Sequence, residues 1–207
     1  HVFVDYHVLP PTIDTAHASD DEASVVWPDL GSNVAINADV NNVDETISAL
    51  TDAQHVVSLK TQLARVSGVA MEPRSSLGEY GNDGRYVLKT TAGSIYRFKR
   101  ELAKVFGEPE ENFRIVIGDV GGSYGPRNAM YVEHPLVIWA AKRLGRPVKW
   151  TSDRTESMLT DYQARDLLVA ASLGFDQAGR IVALQTANTS NIGAHSASWI
   201  PLVKGIE

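Results

Sequence analysis

The sequence contains no cysteine among its 207 residues. Disulfide bonds, thiolate catalysis, iron–sulfur ligation and cysteine-based zinc sites are therefore excluded for this chain. It has no run of lysine or arginine and its formal net charge is −6, which argues against nucleic acid and anionic membranes as partners. No apolar run approaches the ~20 residues that span a bilayer. We expect a cytoplasmic protein that binds neither nucleic acid nor membrane.

What the chain does contain is an ordinary globular composition, 43% hydrophobic and 21% charged, which is enough for a sizeable core. Residues 2–9 alternate apolar and polar side chains and predict a strand. We interpret residues 1–32 as a connecting arm and residues 33–207 as the main domain. The six histidines are scattered without metal-ligand spacing, so no metal site is predicted.

Strands and helices alternate through the middle of the chain. Residues 81–84 and 176–179 are rich in Gly, Asn and Asp between alternating runs, which predicts two β-hairpins. Apolar residues at helical spacing predict a helix from Ile95, with Ser94 as its N-cap and Gly107 after its end, and another over residues 131–144. The predicted fold class is α+β, with a mixed β-sheet, helices packed on one face and flanking β-hairpins.

The most unusual stretch is Gly118-Asp119-Val120-Gly121-Gly122-Ser123-Tyr124-Gly125-Pro126-Arg127. It lies between a predicted strand at Phe113–Ile117 and the predicted helix over residues 131–144. Glycines allow a strained turn or the close approach of a ligand to the backbone. A helix N-terminus directly after the loop would also favour an anion such as phosphate.

The residues of this loop can be compared with the sequence motifs of known ligand-binding and catalytic loops. A dinucleotide-binding loop would need glycine at Val120, and no P-loop lysine follows. Residues 121–125 do spell G-x-S-x-G, the nucleophile elbow of serine hydrolases, with Ser123 as nucleophile. The candidate partners are Asp153, Asp161 or Asp166, followed by His195. A simple tight connection without a ligand is the remaining alternative.

Several motifs occur together in a fixed order. They are Met71-Glu72-Pro73-Arg74, Phe106-Gly107, the loop Val120–Gly125, the segment Ala140–Trp150 and Asp153-Arg154-Thr155-Glu156-Ser157. This series resembles the molybdenum-cofactor-binding large subunit of the xanthine dehydrogenase, aldehyde oxidase and aerobic carbon monoxide dehydrogenase family. The resemblance extends from about residue 33 to the end of the sequence.

The resemblance implies a molybdopterin cofactor bound by a full-length oxidoreductase, with iron–sulfur and flavin subunits or domains as electron-transfer partners. It places Gly121, Gly122, Ser123, Tyr124 and Gly125 at the cofactor as one wall of its site. It assigns no catalytic residue to this chain, because the family's catalytic glutamate and other pterin loops follow this region. We therefore expect the chain alone to be catalytically incomplete, without cofactor, and to expose core faces that allow self-association.

Three positions depart from the family's pattern, and one of them is Tyr124, which adds a hydroxyl where phenylalanine is usual. A glutamine that the family places near a molybdenum oxo ligand falls on Ala92 or Gly93, and neither can donate that hydrogen bond. The glutamate of xanthine-oxidising members falls on Asn128, which argues against a purine substrate. These departures leave open a second hypothesis, a non-enzymatic module that keeps the fold.

Other polar residues have simpler interpretations. Arg74 is expected to hydrogen-bond carbonyls at a strand end, and His134 to be solvated or to cap a helix. Asp153, Arg154 and Glu156 are expected to form an ion-pair set that stabilises a loop. Trp139 and Trp150 are expected in the core.

Overall fold

The structure, a computed structural model, describes residues 2–195 of the chain. These residues form two compact units, the first comprising the chain up to Val66 and from Arg165 onwards, the second comprising residues 67–164. In chain order the elements are α1 (Val43–Asp52), β1 (His55–Leu63), β2 (Val66–Ser67), β3 (Ser75–Tyr80), β4 (Tyr86–Thr90), α2 (Ile95–Phe106), β5 (Phe113–Val116), α3 (Glu133–Leu144), β6 (Val148–Thr151), α4 (Arg154–Thr160), β7 (Gln163–Ala164), β8 (Leu167–Phe175) and β9 (Ile181–Ser190).

The second unit is built on a four-stranded mixed sheet with the strand order β5-β4-β3-β6. β4 and β5 are parallel, whereas β3 runs antiparallel to both β4 and β6. The predicted hairpin joins β3 to β4, where Gly81 N–H donates to Arg85 O at 2.8 Å. Gly84 adopts a φ of 79°, a conformation that glycine takes without a steric penalty.

Helices α2 and α3 cover one face of this sheet. Phe98 and Leu102 of α2 and Ile138 of α3 are completely buried. They pack in one cluster with residues of β4 and β5, namely Tyr86, Leu88, Phe113 and Ile115. Burial of such side chains stabilises a fold by about 1.5–3 kcal/mol each, so this cluster fixes the positions of both helices.

The ends of these helices follow local sequence signals. Ser94 Oγ accepts a hydrogen bond from Arg97 N at 3.3 Å and so caps the first turn of α2. Gly107 and Gly145 follow α2 and α3 with φ values of 65° and 62°, the left-handed conformation common after a helix. The predicted caps of α2 are confirmed.

The first unit contains a three-stranded antiparallel sheet with the order β1-β8-β9. The predicted second hairpin joins β8 to β9, and Asp176 Oδ1 accepts from Ala178 N at 2.8 Å and Arg180 N at 2.9 Å. Helix α1 lies close to β8: a Cβ added to Gly174 of β8 would lie 3.2 Å from the Leu50 side chain of α1. Within this unit the side chains of β1 remain exposed.

The predicted α+β class, with a mixed sheet, helices on one face and hairpins, is confirmed. The strand predicted for residues 2–9 is wrong, since no strand forms there. Phe3 is 94% exposed, and no neighbouring described strand pairs with this segment. Alternation alone is not sufficient, because a strand also needs a partner for its backbone groups.

The two tryptophans have different environments. Trp150 of β6 packs against the buried cluster, as expected. Trp139 is 51% exposed, so its placement in the core was wrong. It lies on the outer face of α3 with Leu136, and Arg143 stacks on its ring at 5.5 Å. Among the described residues, no helix has the length and apolar content to cross a bilayer.

Candidate functional site

The glycine-rich loop follows β5 in the second unit. β5 ends at Val116, and a short 3-10 turn at Pro126–Asn128 separates the loop from α3, which begins only at Glu133. The expected anion site at a helix N-terminus directly after the loop is therefore not formed. The loop backbone is itself unusual, with φ values of 112° at Gly122, 49° at Tyr124 and 102° at Gly125.

Glu72 holds the start of the loop. Its Oε2 accepts a hydrogen bond from Gly121 N at 2.6 Å, and its own N–H donates to Gly121 O at 3.3 Å. A Cβ at position 121 would lie 2.6 Å from the Glu72 Cβ. Glycine is required at 121 because the two backbones approach each other so closely. Sequence reasoning placed Glu72 in a motif but gave it no role.

The segment that carries Glu72 is fixed from its other side by α4. Arg154 donates to Ala70 O at 2.7 Å and to Met71 O at 2.6 Å. Asp153 caps α4, accepting from Glu156 N at 2.7 Å. The expected loop stabilisation is thus present, but it consists of hydrogen bonds to the backbone and not of ion pairs.

Arg74, two residues after Glu72, is 3% exposed and lies in a charged cluster. Its Nε donates to Glu133 Oε1 at 2.7 Å, and its two terminal nitrogens donate to Asp161 and Thr160. Its guanidinium also stacks on the Tyr131 ring at 3.9 Å. Arg74 was expected to bond carbonyls at a strand end, but it bonds these side chains instead. Each of its three guanidinium nitrogens has an acceptor.

His134, on the first turn of α3, is 3% exposed rather than solvated. Its Nδ1 accepts a hydrogen bond from Tyr131 N at 3.0 Å, which is a capping role. Burial, together with the positive charges of Arg74 and Arg127, lowers the pKa of His134 to about 3. The imidazole is therefore neutral and structural at physiological pH.

The remaining loop backbone has unused hydrogen-bond donors. The N–H groups of residues 122–125 donate to no acceptor in the part of the chain that the structure describes. Tyr124 is 76% exposed, so this surface is accessible. Successive free N–H groups on a loop with left-handed residues can bind electronegative atoms.

Unsatisfied buried side-chain atoms surround the same loop. Within residues 2–195 they are Ser67 Oγ, Thr91 Oγ1 and Arg127 Nη1. Ser67 precedes Gly68, which approaches Tyr124 and Pro126 so closely that an added Cβ would lie 3.1–3.2 Å from them. Thr91 lies two residues before Gly93, whose N–H donates to Arg127 O at 2.9 Å. Buried polar atoms without partners are rare in native proteins, so their grouping around one loop fits a ligand rich in oxygen and nitrogen.

Two of the residues that depart from the family's pattern are neighbours in space. A Cβ added to Gly93 would lie 1.8 Å from Asn128 Oδ1. The Asn128 side chain therefore fills the space in which a side chain at position 93 would begin. Asn128 is exposed and makes no hydrogen bond through its amide in the described part of the chain.

The hydrolase hypothesis gains no support from the geometry. In an elbow the nucleophile itself takes the strained conformation, but here Tyr124 and not Ser123 has the positive φ. The candidate partners have other roles: Asp153 caps α4, Asp161 binds Arg74, Asp166 binds Arg65, and the His195 ring packs on Trp27. Within residues 2–195, no group of three acidic, histidine or cysteine side chains has the arrangement of a metal site.

The second unit is thus an α+β structure with an exposed glycine-rich loop that has free backbone donors. Residues 27–205 match the family model described as "Molybdopterin cofactor-binding domain". The chain belongs to this family, as the resemblance predicted, and molybdopterin is the cofactor of the family to which it belongs.

The relatives agree with this assignment. The chain is 31% identical, over 99% of its length, to the "6-hydroxypseudooxynicotine dehydrogenase complex subunit gamma" of Paenarthrobacter nicotinovorans, covering 25% of that protein. It is 27% identical, over 97% of its length, to the "Carbon monoxide dehydrogenase large chain" of Hydrogenophaga pseudoflava, covering 26% of that protein. The chain thus spans about a quarter of the length of these curated relatives.

Solved structures share the fold. A Cu,Mo-CO dehydrogenase matches with a TM-score of 0.82 at 22% identity, over 89% of this chain and 25% of that one. Quinoline 2-oxidoreductase from Pseudomonas putida 86 matches with a TM-score of 0.81 at 26% identity, over 89% of this chain and 23% of that one. The chain is a molybdopterin-binding region of the type found in carbon monoxide dehydrogenase and aldehyde oxidase-like oxidoreductases.

Proposed function

We propose that residues 121–125 form one wall of a molybdenum-cofactor site, in a larger oxidoreductase of which this region is a part. The observation that carries the proposal is the grouping of unused donors at the loop: the free N–H groups of residues 122–125 and the unpaired Arg127 and Thr91 side chains. When bound, the cofactor would supply a metal centre that accepts electrons as oxygen derived from water is added to a substrate.

In this proposal the chain's own residues bind and orient the cofactor. Gly125 leaves the loop surface open, since an added Cβ would meet no atom within 4 Å there, so the ligand can lie against the backbone. Glu72 and Arg154 hold the loop and the segment beneath it before the ligand arrives. No residue of this region is assigned a catalytic role, and the substrate-converting groups belong elsewhere in the proposed enzyme.

The domain layout belongs to the same proposal, with residues 1–32 as a connecting arm and residues 33–207 as the first part of the molybdopterin-binding domain. Relatives named as subunits of complexes support partner subunits. We propose iron–sulfur and flavin partners that take up the electrons, and a cytoplasmic location. Self-association through exposed apolar surface is an additional expectation.

A matched pair of glycine variants tests the loop. Gly125 and Gly179 both have positive φ, and an added Cβ meets no atom within 4 Å at either position. Gly179→Ala should cost about 1 kcal/mol of stability. Gly125→Ala should cost more, because its φ of 102° and ψ of −43° lie outside the left-handed helical region, so the folded fraction of each variant is measured beside its cofactor content. Only Gly125→Ala adds a methyl group to the proposed cofactor surface.

The measurement is molybdenum by metal analysis and pterin by fluorescence, on the protein as it is naturally made. We expect stoichiometric cofactor in the unaltered protein and in Gly179→Ala, and at least about a tenfold lower content in Gly125→Ala, the effect of losing about 1.4 kcal/mol of binding. Equal cofactor content in both variants would contradict a role for the loop.

The second hypothesis is a non-enzymatic module that keeps the fold. The contact between Asn128 and Gly93 favours it, because the Asn128 side chain occupies the space in which a functional side chain at position 93 would begin. Unaltered protein of native length that carries neither molybdenum nor pterin would support this module. Labelling of Ser123 by a fluorophosphonate would instead support the hydrolase.

A further inference from the structure

Arg127 has a buried positive charge that the described chain does not balance. Its side chain is 3% exposed. Its hydrogen bonding is limited to Nη2, which donates to the carbonyl oxygen of Glu72. No carboxylate of the described residues lies within ion-pair distance of it, and the Glu72 carboxylate is instead bonded to Gly121 N. Burying a charge without a partner is strongly unfavourable, so this arrangement needs an explanation.

Nη1 is buried and has no hydrogen-bond acceptor among the described residues. A group that packs against the neighbouring loop can supply the acceptor, because the surface at Gly125 is open, with no atom within 4 Å of an added Cβ. Thr91 Oγ1 is a second buried donor without a partner. It lies on the segment whose Gly93 N–H is bonded to Arg127 O at 2.9 Å.

We propose that Arg127 is an anion-binding residue of the glycine loop, which donates from Nη1 to an oxyanion group of the bound ligand. The free N–H groups of residues 122–125 supply further donors to the same ligand. Arginine suits this role because its charge is permanent and its planar group presents donors in a fixed geometry. The inference rests on the proposed function and adds an anionic group to the chemistry that the site recognises.

Arg127→Gln, which keeps a polar side chain of similar length but removes the charge, is the decisive variant. Arg127→Lys keeps the charge, and exposed Arg100→Gln is the control. The probe is inorganic phosphate, titrated against the 207-residue chain and followed by thermal unfolding and by the amide NMR signals of residues 122–125. The unaltered chain should gain stability as phosphate is added, and Arg127→Gln should bind phosphate at least tenfold more weakly.

The stability of the anion-free chain provides an independent measurement. If Arg127 serves a ligand, Arg127→Gln should unfold at an equal or higher temperature without phosphate, because an unbalanced charge has been removed. If Arg127 is only structural, Arg127→Gln should lose stability while the phosphate response of the folded fraction stays unchanged. That result, or a phosphate response equally lost in Arg100→Gln, would overturn the proposal.

The source of the oxyanion can be distinguished with the oxidised, fluorescent pterin phosphate released from a molybdenum enzyme, before and after phosphatase treatment. Binding that needs both Arg127 and the phosphate identifies the phosphate of the pterin as the ligand group. Arg127-dependent binding of inorganic phosphate alone identifies a separate oxyanion. Pterin bound with equal affinity by the unaltered chain and Arg127→Gln, with no phosphate response, overturns the proposal for Arg127 while the proposed function stands. Molybdenum and pterin absent from the naturally made protein contradict the function instead.

Discussion

Arg74 and Arg127 lie in the same unit and are equally buried, each with 3% exposure, but their surroundings differ. Two carboxylates and a threonine hydroxyl surround Arg74. Arg127 has a single carbonyl acceptor and one unpaired nitrogen. A balanced buried arginine holds the fold together, whereas an unbalanced one indicates a partner that the fold alone does not supply.

The largest expected effect follows from replacing Arg74. Arg74→Met should lower the free energy of unfolding by about 3–5 kcal/mol, because it leaves Glu133 and Asp161 buried without a counter-charge. Urea denaturation measures the loss. Arg127→Met is the matched control at equal burial and should lose little or no stability. Equal losses in the two variants would remove the distinction between the arginines.

A smaller effect is expected from Gly78→Ala in β3. The added Cβ would lie 2.5 Å from the backbone of Val137, so α3, which carries the Glu133 partner of Arg74, must move away from the sheet. We expect a loss of about 1–3 kcal/mol in denaturant unfolding. Gly118→Ala is the control, because its Cβ meets no atom within 4 Å. A Gly78→Ala variant as stable as this control would show that α3 moves without cost.

Stability should fall at acid pH because the pKa of His134 is lowered in the fold, in part by both arginines. The pKa of His134 is lowered from 6.5 to about 3 in the fold, by burial first and then by the charges of Arg74 and Arg127. As the pH falls, His134 therefore becomes protonated in the unfolded chain at a higher pH than in the folded chain. The contribution of neutral His134 to the free energy of unfolding is fully present above pH 6.5 and is lost towards pH 3. The free energy of unfolding then changes by up to about 1.4 kcal/mol per pH unit.

His134→Asn keeps a hydrogen-bond acceptor and removes the titrating group, so it should flatten this slope in pH-dependent denaturation. Arg127→Met should raise the pKa of His134, as measured by the NMR signals of its imidazole. A stability that does not change between pH 6.5 and 4, in the unaltered chain, would contradict the buried neutral state.

The smallest effect concerns the loop beside Arg127. Glu72→Gln keeps an oxygen acceptor for Gly121 N but removes its charge, which should weaken the bond by about 0.5–1 kcal/mol. Hydrogen exchange of the Gly121 amide should then be up to about fivefold faster. Glu79→Gln, whose carboxylate binds Lys89 at 2.8 Å in an exposed pair, should leave that exchange rate unchanged.

Local patterns in the sequence were sufficient for much of the fold. Ser94 and Gly107 marked the ends of α2, and the glycine-rich turns at 81–84 and 176–179 marked both hairpins, because these signals act over a few residues. The family followed from motifs whose order could be read directly. Periodicity did not separate inward from outward positions on α3, and Trp139 was misplaced for that reason.

The site itself could be predicted only in part. The glycines of the loop were identified because they are unusual in any sequence. The partners of Arg74 lie 59 and 87 positions away along the chain, and Glu72 meets Gly121 across 49 positions. Such contacts depend on the packed fold and leave no local pattern. The unpaired state of Arg127 is visible only once every possible acceptor has been placed.

The contact between Gly93 and Asn128 constrains how this protein can change over evolution. A side chain introduced at position 93 would collide with Asn128 Oδ1, whereas shortening Asn128 first would open the space. The backbone of Gly93 does not require glycine, since its φ is not positive. The two positions are therefore coupled: a side chain at position 93 requires that the exposed Asn128 amide turn away or be shortened.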